Sequence, residues 1–196
     1  MAWTPLDTYR AGLTLFTTVV DGVEPDGWDR PSPCADWTAR DVLGHVGEAT
    51  GMGTRILRGE AITFTRHDPP GSVVGTDPVD WWHDLADDAR SGLTDDTDLD
   101  RVVDSPRGPR SVGEGLSFPA VDLFVHGWDL ATATGQTITI PDEAIAFTKM
   151  MFDTVPEERS RSAGVFGPAQ PAPDGATPTE AIIAWTGRDP HWSPAN

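Results

Sequence analysis

The sequence predicts an all-α protein, a four-helix bundle followed by a short C-terminal helical extension. Two observations predict it. Apolar residues recur at helical spacing in four long segments, and several of these segments open with a capping residue or a proline. In addition, strand-like and helix-like segments do not alternate, and no glycine-rich phosphate loop follows a strand-like segment. These patterns favour a bundle over a nucleotide-binding α/β fold.

The first two predicted helices are joined by a loop rich in proline. Residues 5–22 carry apolar side chains at helical spacing, and Gly22 marks the predicted end of this helix. Residues 23–37 contain three prolines and Gly27, which predicts an ordered loop. Thr38, followed three positions later by Asp41, predicts a capping box that opens a second helix reaching residue 58.

The second predicted helix is unusually rich in glycine. A glycine inside a helix costs roughly 1 kcal/mol relative to alanine, so four of them need a compensating reason. Small residues at such spacing allow another helix or a ligand to approach closely. The residues are Gly44, Gly47, Gly51 and Gly53.

The middle of the chain predicts two further helices. Residues 59–76 read as a loop, and Asp77 with Pro78 predicts the opening of a third helix over residues 78–94 with Leu93 packed inward. The acidic run 95–100 predicts a solvated loop, and residues 101–110 an extended segment or a short hairpin. A fourth helix is predicted over 111–135, with Pro119 either kinking it or marking its true beginning.

The C-terminal part predicts two shorter helices. Residues 136–140 suit an extended segment, and Pro141 opens a fifth helix with Ala144, Phe147, Met150 and Met151 as its packing residues. Residues 160–176 predict a loop, and the Thr177–Glu180 capping box opens a last helix that stops at Gly187. We therefore divide the chain into the bundle, residues 1–140, and a helical extension packed on it, residues 141–196.

Composition and charge restrict the classes of function. The chain of 196 residues has 31 acidic and 14 basic residues and a net charge of -17, which disfavours binding to nucleic acid or to anionic membrane surfaces. A single cysteine forms no intramolecular disulfide. The sequence has no signal-like start and no apolar run of about 18 residues. These features predict a soluble, cytoplasmic protein.

Histidines at helical positions are the candidates for chemistry. Asp122 and His126 are four residues apart on the fourth helix and share a face, so their carboxylate and imidazole can chelate one divalent cation. His45, mid-helix among small residues, is the candidate third ligand. Two histidines and one carboxylate leave coordination positions open, as catalysis requires. The competing interpretation is that these are capping contacts or hydrogen-bonded core histidines.

Other reactive residues have simpler interpretations. Cys34 is predicted to be a small packed residue before a helix rather than a nucleophile, because no histidine lies near it in the sequence. His83 is interpreted as the exposed neighbour of a packing tryptophan, and His67 and His191 as loop residues. The acidic run lacks the glycine and terminal glutamate of an EF-hand loop.

Two segments that contain the candidate histidines resemble the signatures of a known family. Residues 33–46 read PCADWTARDVLGHV and residues 122–131 read DLFVHGWDLA. Both are similar to segments of the actinobacterial mycothiol-dependent maleylpyruvate isomerase N-terminal domain, which belongs to the DinB-like superfamily of metal-binding four-helix bundles. The tail, residues 166–168 and 186–190, resembles an uncharacterised metal-binding subfamily. All basic residues but Lys149 are arginine, which suits an actinobacterial source.

The resemblance implies that His45, Asp122 and His126 hold a metal, since the family uses a histidine in the first motif and Glu-x-x-x-His in the second. Asp122 stands where glutamate is more familiar. It is one methylene shorter, so its helix must come closer or a water must bridge. The part of the chain after residue 140 is shorter than the separate C-terminal domain of the isomerases. Activity on maleylpyruvate itself is therefore not implied.

The resemblance also implies a function. The leading hypothesis is a thiol-dependent enzyme in which a divalent metal, zinc, nickel or another ion, binds the sulfur of a small thiol such as mycothiol and presents it to a small electrophile for S-transfer or isomerisation. One alternative is a metal-dependent hydrolase, with Asp41 or Glu48 as base or as orienting residue. Another is a non-enzymatic protein that binds metal or a small ligand. A homodimer is left open.

Overall fold

Six α-helices and one short two-stranded ladder make up the regular structure of the described residues. The structure, a computed structural model, describes residues 2–63, 66–106, 108–153, 155–156, 160–161 and 166–194. A 3₁₀ turn, Pro70–Val73, and the strands β1, Val102–Val103, and β2, Arg110–Ser111, lie between helices. The helices are α1 Pro5–Asp21, α2 Ala39–Leu57, α3 Pro78–Ser91, α4 Val112–Ala133, α5 Asp142–Asp153 and α6 Pro178–Trp185.

The first four helices form a four-helix bundle. Each packs against two others: α1 against α4 and α3, and α2 against α4 and α3. The apolar stripes expected from helical spacing meet in one core, in which the rings of Phe16 and Trp82 lie 4.6 Å apart. The predicted all-α bundle is confirmed. Other fully buried core residues include Tyr9, Leu13, Leu43, Leu116 and Leu123.

The predicted helix starts are found where the capping residues stand. The Thr38 side chain accepts a hydrogen bond from the backbone of Asp41, and the Asp41 side chain accepts one from the backbone of Thr38. Reciprocal bonds of this kind satisfy amide groups that have no partner within the helix. The same arrangement, with Pro178 in the first turn, opens α6 at Thr177.

Glycine allows close packing at the positions where α1 and α2 need it. A Cβ atom on Gly44 would lie 2.2 Å from the carbonyl oxygen of Pro70, and one on Gly12 would lie 2.8 Å from the Cβ of Leu123. The predicted close approach to α2 is therefore confirmed at Gly44, where the neighbour is the 3₁₀ turn, and at Gly47 and Gly53, where the neighbours are side chains of α3 and α1. It is wrong at Gly51, around which nothing lies within 4 Å.

Several element boundaries differ from the sequence predictions. Ser111 caps α4, which begins seven residues before Pro119, so this proline does not mark the start of the helix. Of the two alternatives for residues 101–110, the hairpin is found, with Val102 paired to Ser111. α3 ends at Ser91, so Leu93 packs from the loop that follows. Met150 is 54% exposed and does not belong to the core.

The C-terminal helices pack on the side of α4 that faces away from the bundle core. Phe124 and Trp128 of α4 form a second apolar cluster with Ile145 of α5 and Ile182 and Ile183 of α6. Because α4 is covered from two sides, it is buried on nearly all its faces, as its continuous apolar sequence requires. The division of the chain at residue 140 stays a prediction. Across the described ranges, no helix combines the length and apolarity that crossing a bilayer requires.

Candidate metal centre

The structure brings the three predicted ligands together where α2 faces α4. His45 projects from α2, and Asp122 and His126 project from successive turns of α4. One ligand atom from each of the three lies within 4.8 Å of the other two. The centroids of the two imidazole rings are 4.7 Å apart, and the rings stand nearly perpendicular at 71°.

Asp122 carries the observation that points to a cation. Its Oδ2 atom is buried and has no hydrogen-bond partner among the described residues. His45 Nε2 lies 3.4 Å from it, which is longer than the roughly 2.8 Å of a charge-assisted hydrogen bond. A buried carboxylate oxygen without a partner is costly, so a group that satisfies it is expected.

The spacing of these donor atoms suits a divalent ion. In a tetrahedral zinc site with bonds of about 2.1 Å, two ligand atoms lie about 3.4 Å apart. The distance between His45 Nε2 and Asp122 Oδ2 has this value. For this pair of atoms the spacing is compatible with direct coordination by the shorter aspartate side chain. Two imidazoles and a carboxylate are also the donor types that zinc binds.

The protonation of the cluster favours cation binding. Burial alone would raise the pKa of Asp122, but His45 first, and then His126 and Arg188, more than offset this, and the carboxyl stays ionised. Burial lowers the pKa of His126, and although Asp129 opposes the shift, the ring is neutral near pH 7. An ionised carboxylate and a neutral imidazole are the forms that bind metal.

A second polar group lies on the opposite side of the His126 ring. Its Nδ1 atom is 2.8 Å from Asp129 Oδ2. Arg188 donates to both oxygens of Asp129, from Nε at 2.6 Å and from Nη2 at 2.7 Å. The thiol of Cys34 donates to the same Oδ2 at 3.2 Å. His126 thus stands between two groups, and only its Nε2 atom is left for the His45 side.

This second group is a poor metal site, although Cys34, His126 and Asp129 place their ligand atoms close together. The guanidinium of Arg188 already neutralises the Asp129 carboxylate and occupies both of its oxygens. Burial, reinforced by the Asp129 charge, raises the pKa of the Cys34 thiol, so the thiolate that binds metals or attacks electrophiles does not form near neutral pH. Cys34 packs against the bundle core, as predicted, but its thiol also contacts polar side chains, those of His126, Asp129 and Arg188.

The loop before α2 places an aromatic ring beside the two histidines. Trp37 lies with its ring centroid 5.1 Å from that of His45 and 6.2 Å from that of His126. A turn in which Trp37 N–H donates to the carbonyl of Cys34 holds it there. Asp36, inside this turn, has a φ of 65°, a conformation that non-glycine residues adopt at a cost. The loop therefore fixes one wall of the site.

The turn after α6 brings Arg188 to the site. Gly187 has a φ of 90°, and a Cβ atom there would lie 2.7 Å from the backbone of Gly167, so only glycine fits. The N–H of Gly187 donates to the carbonyl of Ala184, which ends the helix. Arg188 Nη1 donates to Thr186 Oγ1 at 3.3 Å, which orients the guanidinium toward Asp129.

The two carboxylates considered as a hydrolytic base have other partners. Asp41 Oδ2 accepts hydrogen bonds from Thr38, and its Oδ1 accepts one from the backbone N–H of Gly71. Glu48 pairs with Nδ1 of His67, so this histidine, interpreted from the sequence as a loop residue, has a partner on α2. Neither carboxylate forms a cluster with His45 and His126 among the described residues.

Sequence reasoning gave no role to Asp129 or Arg188. Asp129 had a usable signal, because it lies three residues after His126 on the same helix and within the second motif. Arg188 had only its place in the tail motif, 59 residues beyond Asp129 in the sequence. No spacing rule connects residues so far apart, so their contact is a property of the fold.

Comparison with known proteins identifies the family. The sequence model of the mycothiol maleylpyruvate isomerase N-terminal domain matches residues 9–131. The chain therefore belongs to this family. Two uncharacterized proteins from two strains of Mycobacterium tuberculosis are each 25% identical over 187 residues, covering 94% of this chain and 97% of each relative.

Solved structures share the fold. The crystal structure of a mycothiol-dependent maleylpyruvate isomerase aligns with a TM-score of 0.52 at 17% sequence identity, over 73% of this chain and 65% of that one. A mutant of a mycothiol-dependent maleylpyruvate isomerase aligns with a TM-score of 0.50 at 14% identity, with the same coverage. The chain thus spans less than two thirds of these isomerases, and at these identities the match speaks for the fold alone.

Proposed function

We propose that this member of the family binds one divalent metal ion, zinc in the first place, through His45 Nε2, Asp122 Oδ2 and His126 Nε2, and uses it to activate a small thiol. The observation that carries the proposal is the buried Oδ2 of Asp122, which has no hydrogen-bond partner and lies 3.4 Å from His45 Nε2. Nickel or another divalent ion would use the same donors.

Three protein ligands leave room for a fourth, and that position is where a small thiol would bind. Bound zinc would lower the pKa of that thiol, so that the nucleophilic thiolate forms at neutral pH. Cys34 does not compete for the position, because its thiol donates to Asp129 on the far side of the His126 ring. Trp37 borders the two histidine rings and narrows the approach to them.

Family membership suggests which thiol and which chemistry. The family and the similar structures are named for mycothiol-dependent maleylpyruvate isomerase, so we propose mycothiol as the cosubstrate and S-transfer to, or isomerisation of, a small electrophile as the reaction. Maleylpyruvate itself is not proposed as the substrate, since only 65% of the isomerase chain is matched. We place a hydrolase second, because Asp41 and Glu48 are bonded elsewhere.

The metal proposal is tested by elemental analysis of purified protein. We expect about one equivalent of metal in the wild type and less than about a tenth of that in His45→Ala, because two protein ligands hold zinc weakly. Cys34→Ala is the matched control, since Cys34 contacts His126 from the other side, and it should keep its metal. Equal metal content in wild type and His45→Ala would remove the proposal.

The thiol proposal is tested separately on cobalt-substituted protein. Titration with mycothiol should produce a thiolate-to-cobalt charge-transfer absorption, whereas S-methylated mycothiol, which cannot form a thiolate, should not. Mixing the zinc protein and mycothiol with a panel of small electrophiles should then consume thiol faster than the metal-free protein does. If the cobalt protein forms but no such absorption appears, the thiol role is wrong while the metal site stands.

A further inference from the structure

We propose that Arg188 is a positioning residue that acts through Asp129 to hold His126 in one tautomer, with the proton on Nδ1 and the lone pair of Nε2 turned toward His45 and Asp122. This inference rests on the proposed metal site for its purpose. Its geometry, however, concerns only residues of this chain. If Arg188 has this role, the segment after α6 contributes to the metal centre formed by α2 and α4.

The hydrogen bonds around Asp129 determine where the proton lies. The Asp129 side chain is completely buried and receives two donors from Arg188 and one from Cys34. An ionised carboxylate can only accept, and the contact with His126 Nδ1 is 2.8 Å long. Nδ1 must therefore carry the proton. Because a neutral imidazole has a single N–H, Nε2 is left as the acceptor.

Arg188 is what keeps this carboxylate ionised in a buried place. The Arg188 guanidinium donates from Nε at 2.6 Å and from Nη2 at 2.7 Å, so the buried carboxylate charge has its counter-charge in direct contact at both oxygens. A protonated Asp129 could donate to Nδ1 instead, which would put the ring proton on Nε2. Arginine suits the role better than lysine, since its planar fork engages both carboxylate oxygens at once.

The ion pair of Arg188 and Asp129 is buried and is not one of the exposed pairs on the protein surface. The side chain of Arg188 is 11% exposed, and that of Asp129 is 0% exposed. A buried ion pair of this kind gives little net stability compared with an apolar replacement. The pair instead directs one bond at the single histidine that α4 contributes to the cluster. Outer partners of this type typically change metal affinity by about 10–100-fold when they are removed.

The experiment measures the tautomer directly, by long-range ¹H–¹⁵N correlation NMR of the histidine side chains in metal-free protein. Wild-type His126, assigned through His126→Gln, should show a protonated Nδ1 and an unprotonated Nε2. Arg188→Met combined with Asp129→Asn leaves no unpaired buried charge and should give a mixture or the opposite tautomer. Its dissociation constant for zinc should rise about 10–100-fold, and that of Arg188→Lys by an intermediate factor.

Arg161→Met is the matched control. Arg161 donates to the carbonyl of Trp185 and stacks on its ring 5.6 Å away, so it holds the same segment by other contacts. This variant should keep the wild-type tautomer and zinc affinity. The proposal is overturned if wild-type His126 is protonated on Nε2, if the double variant keeps the wild-type tautomer and affinity, or if Arg161→Met changes both equally. If the tautomer is as expected but wild type binds no zinc, only the metal proposal fails.

Discussion

The two sides of the His126 ring differ in how completely their polar atoms are satisfied. On the Asp129 side, the carboxylate is paired with Arg188 and accepts hydrogen bonds at both oxygens. On the Asp122 side, a carboxylate that is 12% exposed leaves its buried Oδ2 without a hydrogen-bond partner among the described residues, with His45 Nε2 3.4 Å away. Both acidic residues lie on α4, two turns apart, so their local backbone does not explain the difference.

This difference in hydrogen bonding indicates that the two carboxylates have different roles. A buried polar group that already has every partner it needs has nothing left to offer a ligand, and it orders its neighbours instead. A buried polar group that lacks partners stays destabilised until something binds it. On this reasoning the Asp129 side supports His126, and the Asp122 side receives the ligand.

The largest expected effect comes from breaking the satisfied side. Asp129→Asn removes the only carboxylate that Arg188 contacts among the described residues and leaves a buried guanidinium without its counter-charge. We expect the free energy of unfolding to fall by about 3–5 kcal/mol, as for other buried pairs that lose one partner. Urea denaturation of metal-free protein, followed by tryptophan fluorescence, measures it.

Asp122→Asn is the control for this comparison, since it makes the same change on the same helix. It removes a buried charge that has no hydrogen bond at Oδ2, so the metal-free variant should stay within about 1 kcal/mol of the wild type. Equal destabilisation by the two variants would show that the two sides do not differ in the way the hydrogen bonds indicate.

A smaller effect is expected from pH. His126 is buried and neutral, and its pKa lies below the value of about 6.5 that it has in the unfolded chain. Below that pH the unfolded state binds a proton at His126 that the native state does not bind, so the free energy of unfolding falls as pH falls. For one proton the slope approaches ~1.4 kcal/mol per pH unit, and it ends once the native ring is itself protonated.

Urea titrations of metal-free protein between about pH 7.5 and pH 5 measure this slope. His126→Gln, which cannot titrate, should lose stability less steeply over the same range, and above about pH 7 the two slopes should agree. Identical slopes throughout would mean that His126 is as easily protonated in the native state as in the unfolded chain. Burial of the His126 ring between the Asp122 and Asp129 sides would then not lower its pKa.

Much of the fold was predictable because its signals are local. The capping box of Thr38 and Asp41 and the spacing of apolar residues in α1 each depend on residues within a few turns. Predictions failed where distant parts of the chain decide the outcome. Met150 has an apolar side chain at helical spacing, yet it is 54% exposed.

The candidate site divides in the same way. Asp122 and His126 share a helix face, which spacing alone predicts. His45 was added as a candidate from its helical position and from the resemblance of its motif to a known family. Helical spacing alone does not distinguish Asp122 from Asp129, since each lies about one turn from His126 on the same helix, and only the resemblance to the family motif selects Asp122.

The sequence by itself therefore determined the helices, their caps, the family and three candidate ligands, because each depends on neighbouring residues or on a continuous motif. Only the tertiary structure decided which acidic side chain has a partner. Arg188 reaches Asp129 because the turn at Gly187 directs it there, and nothing comparable reaches Asp122 Oδ2 among the described residues. Whether a buried carboxylate has a hydrogen-bond partner depends on which distant segment of the chain packs against it, and that is a property of the whole fold.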